Sequence, residues 1–283
     1  MALPAFIETT DQVHDAVGHI PAGDHSSCDS HGPAVAGGPI LFNPYLCLLA
    51  DSLDDLEKTR IATENRVRML TRSEADADGE VRGLGLDARS PEVMRAMGLL
   101  ENLKSVEHQA TLDLKRELRN TPFHAWVKAQ KGIGEKQAAR LLAAIGDPYW
   151  NDLYERPRTV SELWAYAGYA VRNGEADRRR KGVKVNWSPT AKMRVYLMAE
   201  ACMKARGGDG DYRAVYDQGR EQYADTVHTT DCVRCGPSGK PALAGTPLSA
   251  GHQHARALRL VAKRILRDLW IVARDYHEGV SHV

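Results

Sequence analysis

Lys131-Gly132-Ile133-Gly134-Glu135-Lys136, continued without a break by Gln137-Ala138-Ala139-Arg140-Leu141-Leu142-Ala143-Ala144-Ile145-Gly146-Asp147, decides the reading of this chain. Two glycines around one aliphatic residue make a tight turn that no side chain obstructs, so the amides opening the next helix can approach a phosphate closely. A first helix is expected from about Pro122 to Gln130, with Phe123, Trp126 and Val127 inward. A second is expected from Glu135 to Ile145, where Ala138, Leu141, Leu142 and Ile145 repeat at helical spacing. Ile133 plugs the gap between them, and Lys131 and Lys136 flank the turn with positive charge. This is the helix-hairpin-helix pattern for holding a DNA backbone. The same Gly-x-Gly also ends and restarts helices in chains that bind nothing.

Upstream, Leu46, Leu49, Leu53, Leu56, Val67 and Leu70 advance by steps of three and four, a heptad seam with Arg60 and Thr63 as its weak middle. Breakers follow at Asp78-Gly79 and Gly83-Leu84-Gly85, and Ser90-Pro91-Glu92 then supplies a helix start. Val93, Met97, Leu100, Leu103, Val106, Ala110, Leu114 and Leu118 make a second seam. Residues 41–120 therefore read as an antiparallel coiled-coil hairpin, serving as a stalk or as the joint of a homodimer. Residues 1–40 are rich in Gly, Pro, Ala, His and Ser without an apolar period and read as a flexible arm. His25, Cys28 and His31 belong to that arm, and solvation explains them better than metal binding.

Downstream, residues 121–283 read as a helical domain. A capped helix from Thr159 or Ser161 closes at Gly168, and Asn186-Trp187-Ser188-Pro189 opens another over Thr190 to Lys204. Further helices are expected from Tyr212 to Tyr223 and from about Ala255 to Tyr276, the last with Leu258, Val261, Ala262, Ile265, Leu269 and Val272 on its apolar face. Trp164 and Tyr166 fall inside a helical pattern and read as core.

Thr230-Asp231-Cys232-Val233-Arg234-Cys235-Gly236 and Gly251-His252-Gln253-His254 lie between the last two helices. Cys-x-x-Cys before a glycine is knuckle geometry, and soft sulfur with imidazole selects tetrahedral Zn2+, a structural ion bound by Cys232, Cys235, His252 and His254 within a loop over 228–254. His252 and His254 project about 200° apart if both are helical. They can share an ion only if the helix starts at or after His254; if it starts earlier, His228 becomes the fourth ligand.

Lys and Arg number 38 against 37 Asp and Glu, so no global charge advertises a polyanion partner. The charges are segregated, however. Arg172, Arg178, Arg179, Arg180, Lys181 and Lys184 face only Glu175 and Asp177 in their stretch. Arg256, Arg259, Lys263, Arg264, Arg267 and Arg274 share theirs with Asp268 alone. Local fields of this kind steer a polyanion, and they fit contact with phosphates by Arg172, Arg178, Arg179, Arg180, Lys181, Lys184, Arg256 and Arg259. No apolar run approaches the roughly 20 residues of a membrane span, and a basic start with an apolar signal core is missing, so a cytoplasmic protein is expected. The cysteines are five, and only Cys232 and Cys235 lie close together, which argues against a disulfide framework.

From about Pro122 to Tyr276 the order of features resembles the C-terminal half of transposases of the insertion sequence 110/116/902 family. The residues that carry it are Lys131-Gly132-Ile133-Gly134, Ala143-Ala144-Ile145-Gly146-Asp147, Leu163-Trp164-Ala165-Tyr166-Ala167-Gly168-Tyr169, Met193-Arg194-Val195-Tyr196-Leu197 and Val261-Ala262-Lys263-Arg264-Ile265-Leu266. The family also has a coiled coil just upstream. It further carries a RuvC-like nuclease domain with four acidic metal ligands, which the segment before residue 50 does not match in length or strand pattern. The family's catalytic serine aligns with Asn173, whose amide cannot attack a phosphodiester as a hydroxyl does. Ser188, the nearest serine, suits a helix cap better. The Cys/His loop lies outside the family pattern.

The expectation is therefore an all-α protein: a long antiparallel coiled-coil hairpin, then a helix-hairpin-helix domain with a small zinc loop. The resemblance implies a non-catalytic DNA-binding relative of a mobile element or phage, acting as a recombination accessory or regulator, with DNA or RNA and a recombinase or integrase as partners. Two readings of other classes compete with it: a strand transferase or nuclease completed by a separate subunit, and a coiled-coil interaction scaffold.

Overall fold

A computed structural model describes residues 38–280, apart from Asn173, Arg178, Arg180, residues 206–209, Arg234, Ser238 and Gly239. Asn43 opens the first helix. Its side-chain oxygen accepts the Leu46 amide at 2.9 Å, and Pro44 sits where a missing N–H costs nothing. This helix, α1 (Pro44–Thr71), returns as α2 (Pro91–Arg119) after a loop whose Leu84, Gly85 and Leu86 amides donate to carbonyls at the end of α1. The pair is antiparallel: Asn43 meets Glu117 at one end and Arg60 pairs with Glu107 further along.

Leu46, Leu53, Val93, Leu100, Leu114 and Leu118 are buried in the seam as expected. Met97 and Val106 are not, being 46% and 52% exposed. The α2 side of the seam instead passes through half-buried Glu107, which meets Arg60. That carboxylate answers the Arg60 guanidinium, which would otherwise lie partly buried without a counter-charge.

After the hairpin come α3 (Phe123–Ala129), α4 (Glu135–Ile145), a short antiparallel ribbon of β1 (Trp150–Asn151) and β2 (Arg156–Pro157), and α5 (Val160–Tyr166). Thr159 and Glu162 form a reciprocal capping box at the start of α5. A second ribbon, β3 (Val171–Arg172) with β4 (Glu175–Ala176), leads through a loop to α6 (Pro189–Lys204), capped by Ser188. Last come α7 (Asp211–Gln222) and α8 (Ala250–Val280). The described residues are thus mostly helical, with two short ribbons that the all-α expectation left out.

One buried core joins these parts. Leu46, Leu53, Leu114 and Leu118 of the hairpin lie in it with Leu141 and Leu142 of α4, Val195 and Met198 of α6, and Val261, Ile265 and Leu269 of α8. An ionic joint reinforces it: Asp54 and Glu57 of α1 face Arg140 of α4, Asp54 also meets Arg194 of α6, and Lys136 meets Glu57. Arg140 and Arg194 are buried. Burial alone would raise the Glu57 pKa, but hydrogen bonds from Arg140 and Lys136 outweigh it and hold the carboxyl below the ordinary carboxylate range.

Helix α8 is the axis of the body, packed against α3, α5, α6 and α7. At its far end His277 Nε2 lies 2.7 Å from Asp147 Oδ2, which also accepts the Leu41 amide at 3.1 Å. The other Asp147 oxygen accepts the amides of Tyr149 and Trp150. Among the described residues no helix is long and apolar enough to cross a membrane.

Candidate metal centre and basic face

The loop between α7 and α8 folds back on itself in two places. His228 donates its amide to Thr246 and accepts from Gly245, while Cys232 exchanges both backbone hydrogen bonds with Ala242. Gly236 is held against Lys240, where an added Cβ would come within 1.7 Å of a carbonyl oxygen, so the knuckle after Cys235 admits no side chain. At the other end, the Ser249 hydroxyl accepts the His252 amide in the first turn of α8. These constraints bring one ligand atom each from His228, Cys232, Cys235 and His252 within 4.8 Å of one another. Cys235 Sγ lies 3.3 Å from His252 Nδ1, and Cys232 Sγ lies 3.9 Å from it. His228 is 3% exposed and its Nε2 is buried with no hydrogen-bond partner. Two thiols, two imidazoles and an orphaned buried nitrogen suit a metal ion, which the group could hold.

His254 is not in this group. Helix α8 begins at Ala250, not Ala255, so His252 and His254 are both helical and diverge. His254 Nδ1 lies 2.6 Å from the Tyr216 hydroxyl of α7 instead, and His228 supplies the fourth donor.

The turn between α3 and α4 has the expected helices on either side, while Gly132 and the flanking Lys136 have partners within the fold. Gly132 has φ +85° and carries the chain against the end of α6: a Cβ there would meet Cys202 Cα at 2.5 Å. Ile133 is buried. Lys136 is held by Glu57, and Lys131, though exposed, lies beside Gly210 ahead of α7. Gly134 alone opens on empty space. Next to it, Glu135 occupies the first turn of α4, gripped by Arg119 at 2.7 and 2.8 Å. A carboxylate already stands where the helix dipole favours an anion. Gly132 serves packing between helices, its bare Cα being required by residues some seventy positions later in the sequence.

Positive charge is displayed elsewhere. Arg256, Arg259, Lys263 and Arg267 advance by steps of three and four and so share one side of α8 with His252. Arg256 stands 5.5 Å over the Tyr223 ring, Arg259 5.8 Å over Tyr169, and Lys263 4.1 Å over Trp164. From α6, Lys192 lies 4.5 Å over Trp187. The rings are themselves fixed: Trp164 donates its indole N–H to the Lys263 carbonyl and Tyr169 its hydroxyl to the Lys192 carbonyl. Gly168 makes room, since a Cβ there would strike the Trp187 ring at 2.6 Å. Burial and the charge of Arg259 pull the Lys192 pKa below its ordinary value. Beside this face Arg172, Arg179, Lys181 and Lys184 are exposed, the last three around one open depression. Arg178, Arg180 and Asn173 lie outside the described residues.

Lys192, Tyr169, Trp187 and Tyr223 had no signature in the sequence. Each sits in an ordinary helical or turn pattern, and only the packing of α5, α6, α7 and α8 makes them neighbours. Trp164 packs against the core as expected, and Lys263 lies over its ring. Comparison of the chain with protein-family profiles, with curated proteins and with solved structures gives no match.

Proposed function

We propose that this chain is a nucleic-acid-binding protein that grips a phosphate backbone with the side of α8 and the neighbouring 171–188 segment. Arg256, Arg259, Lys263, Lys192, Arg172, Arg179, Lys181 and Lys184 are its contacts. The observation that carries this reading is the set of four cations each held over an aromatic ring. Trp164 and Tyr169 are hydrogen-bonded in place, and rings so held keep cationic heads at defined positions and lower the entropy lost on binding a polyanion. Contacts of this kind recognise backbone more than sequence. The ion of the Cys/His group is Zn2+, in a structural role. The resemblance to transposases supports DNA as the polyanion, while the expectation of an asparagine in place of their serine supports binding without strand chemistry. Exposed Met94, Met97, Leu99 and Val106 on α2 favour pairing of protomers through the hairpin.

Titration of labelled duplex DNA, single-stranded DNA and RNA against salt tests the reading. Affinity is expected to fall steeply with salt, and each of Arg256→Ala, Arg259→Ala and Lys263→Ala to reduce the logarithmic salt slope by about 1. Absence of salt-dependent binding to all three overturns it, and divalent-dependent cleavage of the duplex would replace it with the enzymatic reading.

A further inference from the structure

The metal centre and the basic face meet on one helix. His252 lies in the first turn of α8, four residues before Arg256 and on the same side. The ring under Arg256 belongs to Tyr223, the C-cap of α7 and the start of the loop that carries the other three donors. Between Tyr223 and Ser249 that loop has little apolar burial: Leu248 is buried, whereas Val227, Val233 and Leu243 are exposed at 43%, 82% and 62%. Its backbone closes on itself through single bridges, at Val227–Pro247 and Cys232–Ala242. Tyr216 meets His254 and Gly219 packs on Ala257, which fixes α7 to α8 without any help from the loop.

We propose that a Zn2+ ion bound by His228, Cys232, Cys235 and His252 makes nucleic-acid binding metal-dependent, by clamping the 224–249 loop to the first turn of α8, one helical turn ahead of Arg256. The inference rests on the reading of α8 as the nucleic-acid face. Two thiolates neutralise the dication, so the ion adds no charge to that face; its contribution is position. With the ion removed, the two thiols keep their contacts with His252 and Ser249, and the buried His228 Nε2 has no hydrogen-bond partner. The loop then loses its tie through His252, and the first turn of α8, one helical turn ahead of Arg256, loses the loop that braces it. The helices remain, because their core contains no residue of the loop between Ala224 and Ser249.

The full chain is purified without added metal, and its zinc content, helical circular dichroism and affinity for a labelled duplex are measured before and after treatment with a zinc chelator. One zinc per chain is expected, with helicity retained on removal. Affinity should fall roughly tenfold, as when one or two phosphate contacts are lost, and return with Zn2+ but not Mg2+. Cobalt substituted at the site should give the visible and sulfur charge-transfer bands of a tetrahedral two-thiolate centre. Cys232→Ser and His228→Asn should reproduce the metal-free affinity, whereas His254→Phe should keep both metal and binding. Less than stoichiometric zinc, equal affinity with and without the ion, or general loss of helicity on chelation each overturns the proposal. Equal affinity in the metal-free protein leaves the basic face standing, while failure of the loaded protein to bind any nucleic acid removes both.

Discussion

The turn between α3 and α4 and the loop between α7 and α8 each press a glycine against a backbone, yet they leave different things exposed. At Gly132 the space is closed by Cys202, Lys136 is satisfied by Glu57, and Glu135 is satisfied by Arg119. At Gly236 the tight fold leaves Cys232, Cys235, His252 and His228 facing one another, with a buried nitrogen of His228 lacking any hydrogen bond. Glycines mark close approach in both. A ligand site is marked by polar atoms that the fold brings together and does not satisfy.

The largest expected effect that would break this contrast lies within the first turn. Gly132→Ala adds a Cβ at positive φ against the α6 backbone and should destabilise the chain by about 2–4 kcal/mol. Gly134→Ala, with open space around it, should cost only about 0.5 kcal/mol. Chemical denaturation of the two variants checks both values. Equal losses would mean that Gly132 does not bear on α6, and a binding defect in folded Gly134→Ala would return the turn to the nucleic-acid surface.

A smaller effect is expected at the junction of α7 and α8. His254→Phe removes the Tyr216 hydrogen bond and should cost about 1 kcal/mol while zinc content stays unchanged. Loss of zinc from that variant would place His254 among the ligands after all.

The smallest concerns the ionic joint around Glu57. The folded Glu57 pKa lies below its unfolded value, so its stabilisation is fully present above the ordinary carboxylate range and is lost as pH falls through the depressed folded value. Glu57→Gln should cost about 0.5–1 kcal/mol at neutral pH and flatten the decline of stability in acid. Denaturation midpoints of both proteins from neutral pH into the acid range measure this. Parallel profiles would mean that Glu57 is not titrated against Arg140 and Lys136.

Much of the helical frame was legible because its signals are local. Ser188-Pro189 caps α6, Thr159 and Glu162 cap α5, and the apolar repeat of Leu258, Val261, Ile265 and Leu269 is buried along α8. The metal centre was half legible: Cys-x-x-Cys announces itself, whereas the choice between His228 and His254 depends on where α8 begins. The hairpin seam was misread at Met97 and Val106, which are exposed, because a polar residue, Glu107 opposite Arg60, takes a seam position that an apolar pattern does not mark. The contact of Gly132 with Cys202 was not legible because the two are remote in sequence, and Lys192 was missed because its ring comes from a loop and its neighbouring cation, Arg259, from another helix.

Asp147 has a consequence of a different kind. One carboxylate holds the Leu41 amide ahead of α1, its own turn after α4, and His277 near the end of α8. Both ends are therefore tied to one side chain that belongs to neither of their helices. Asp147→Asn should loosen both together, raising amide exchange in the last turns of α8 and in the lead into α1 while the middles of the two helices keep their protection.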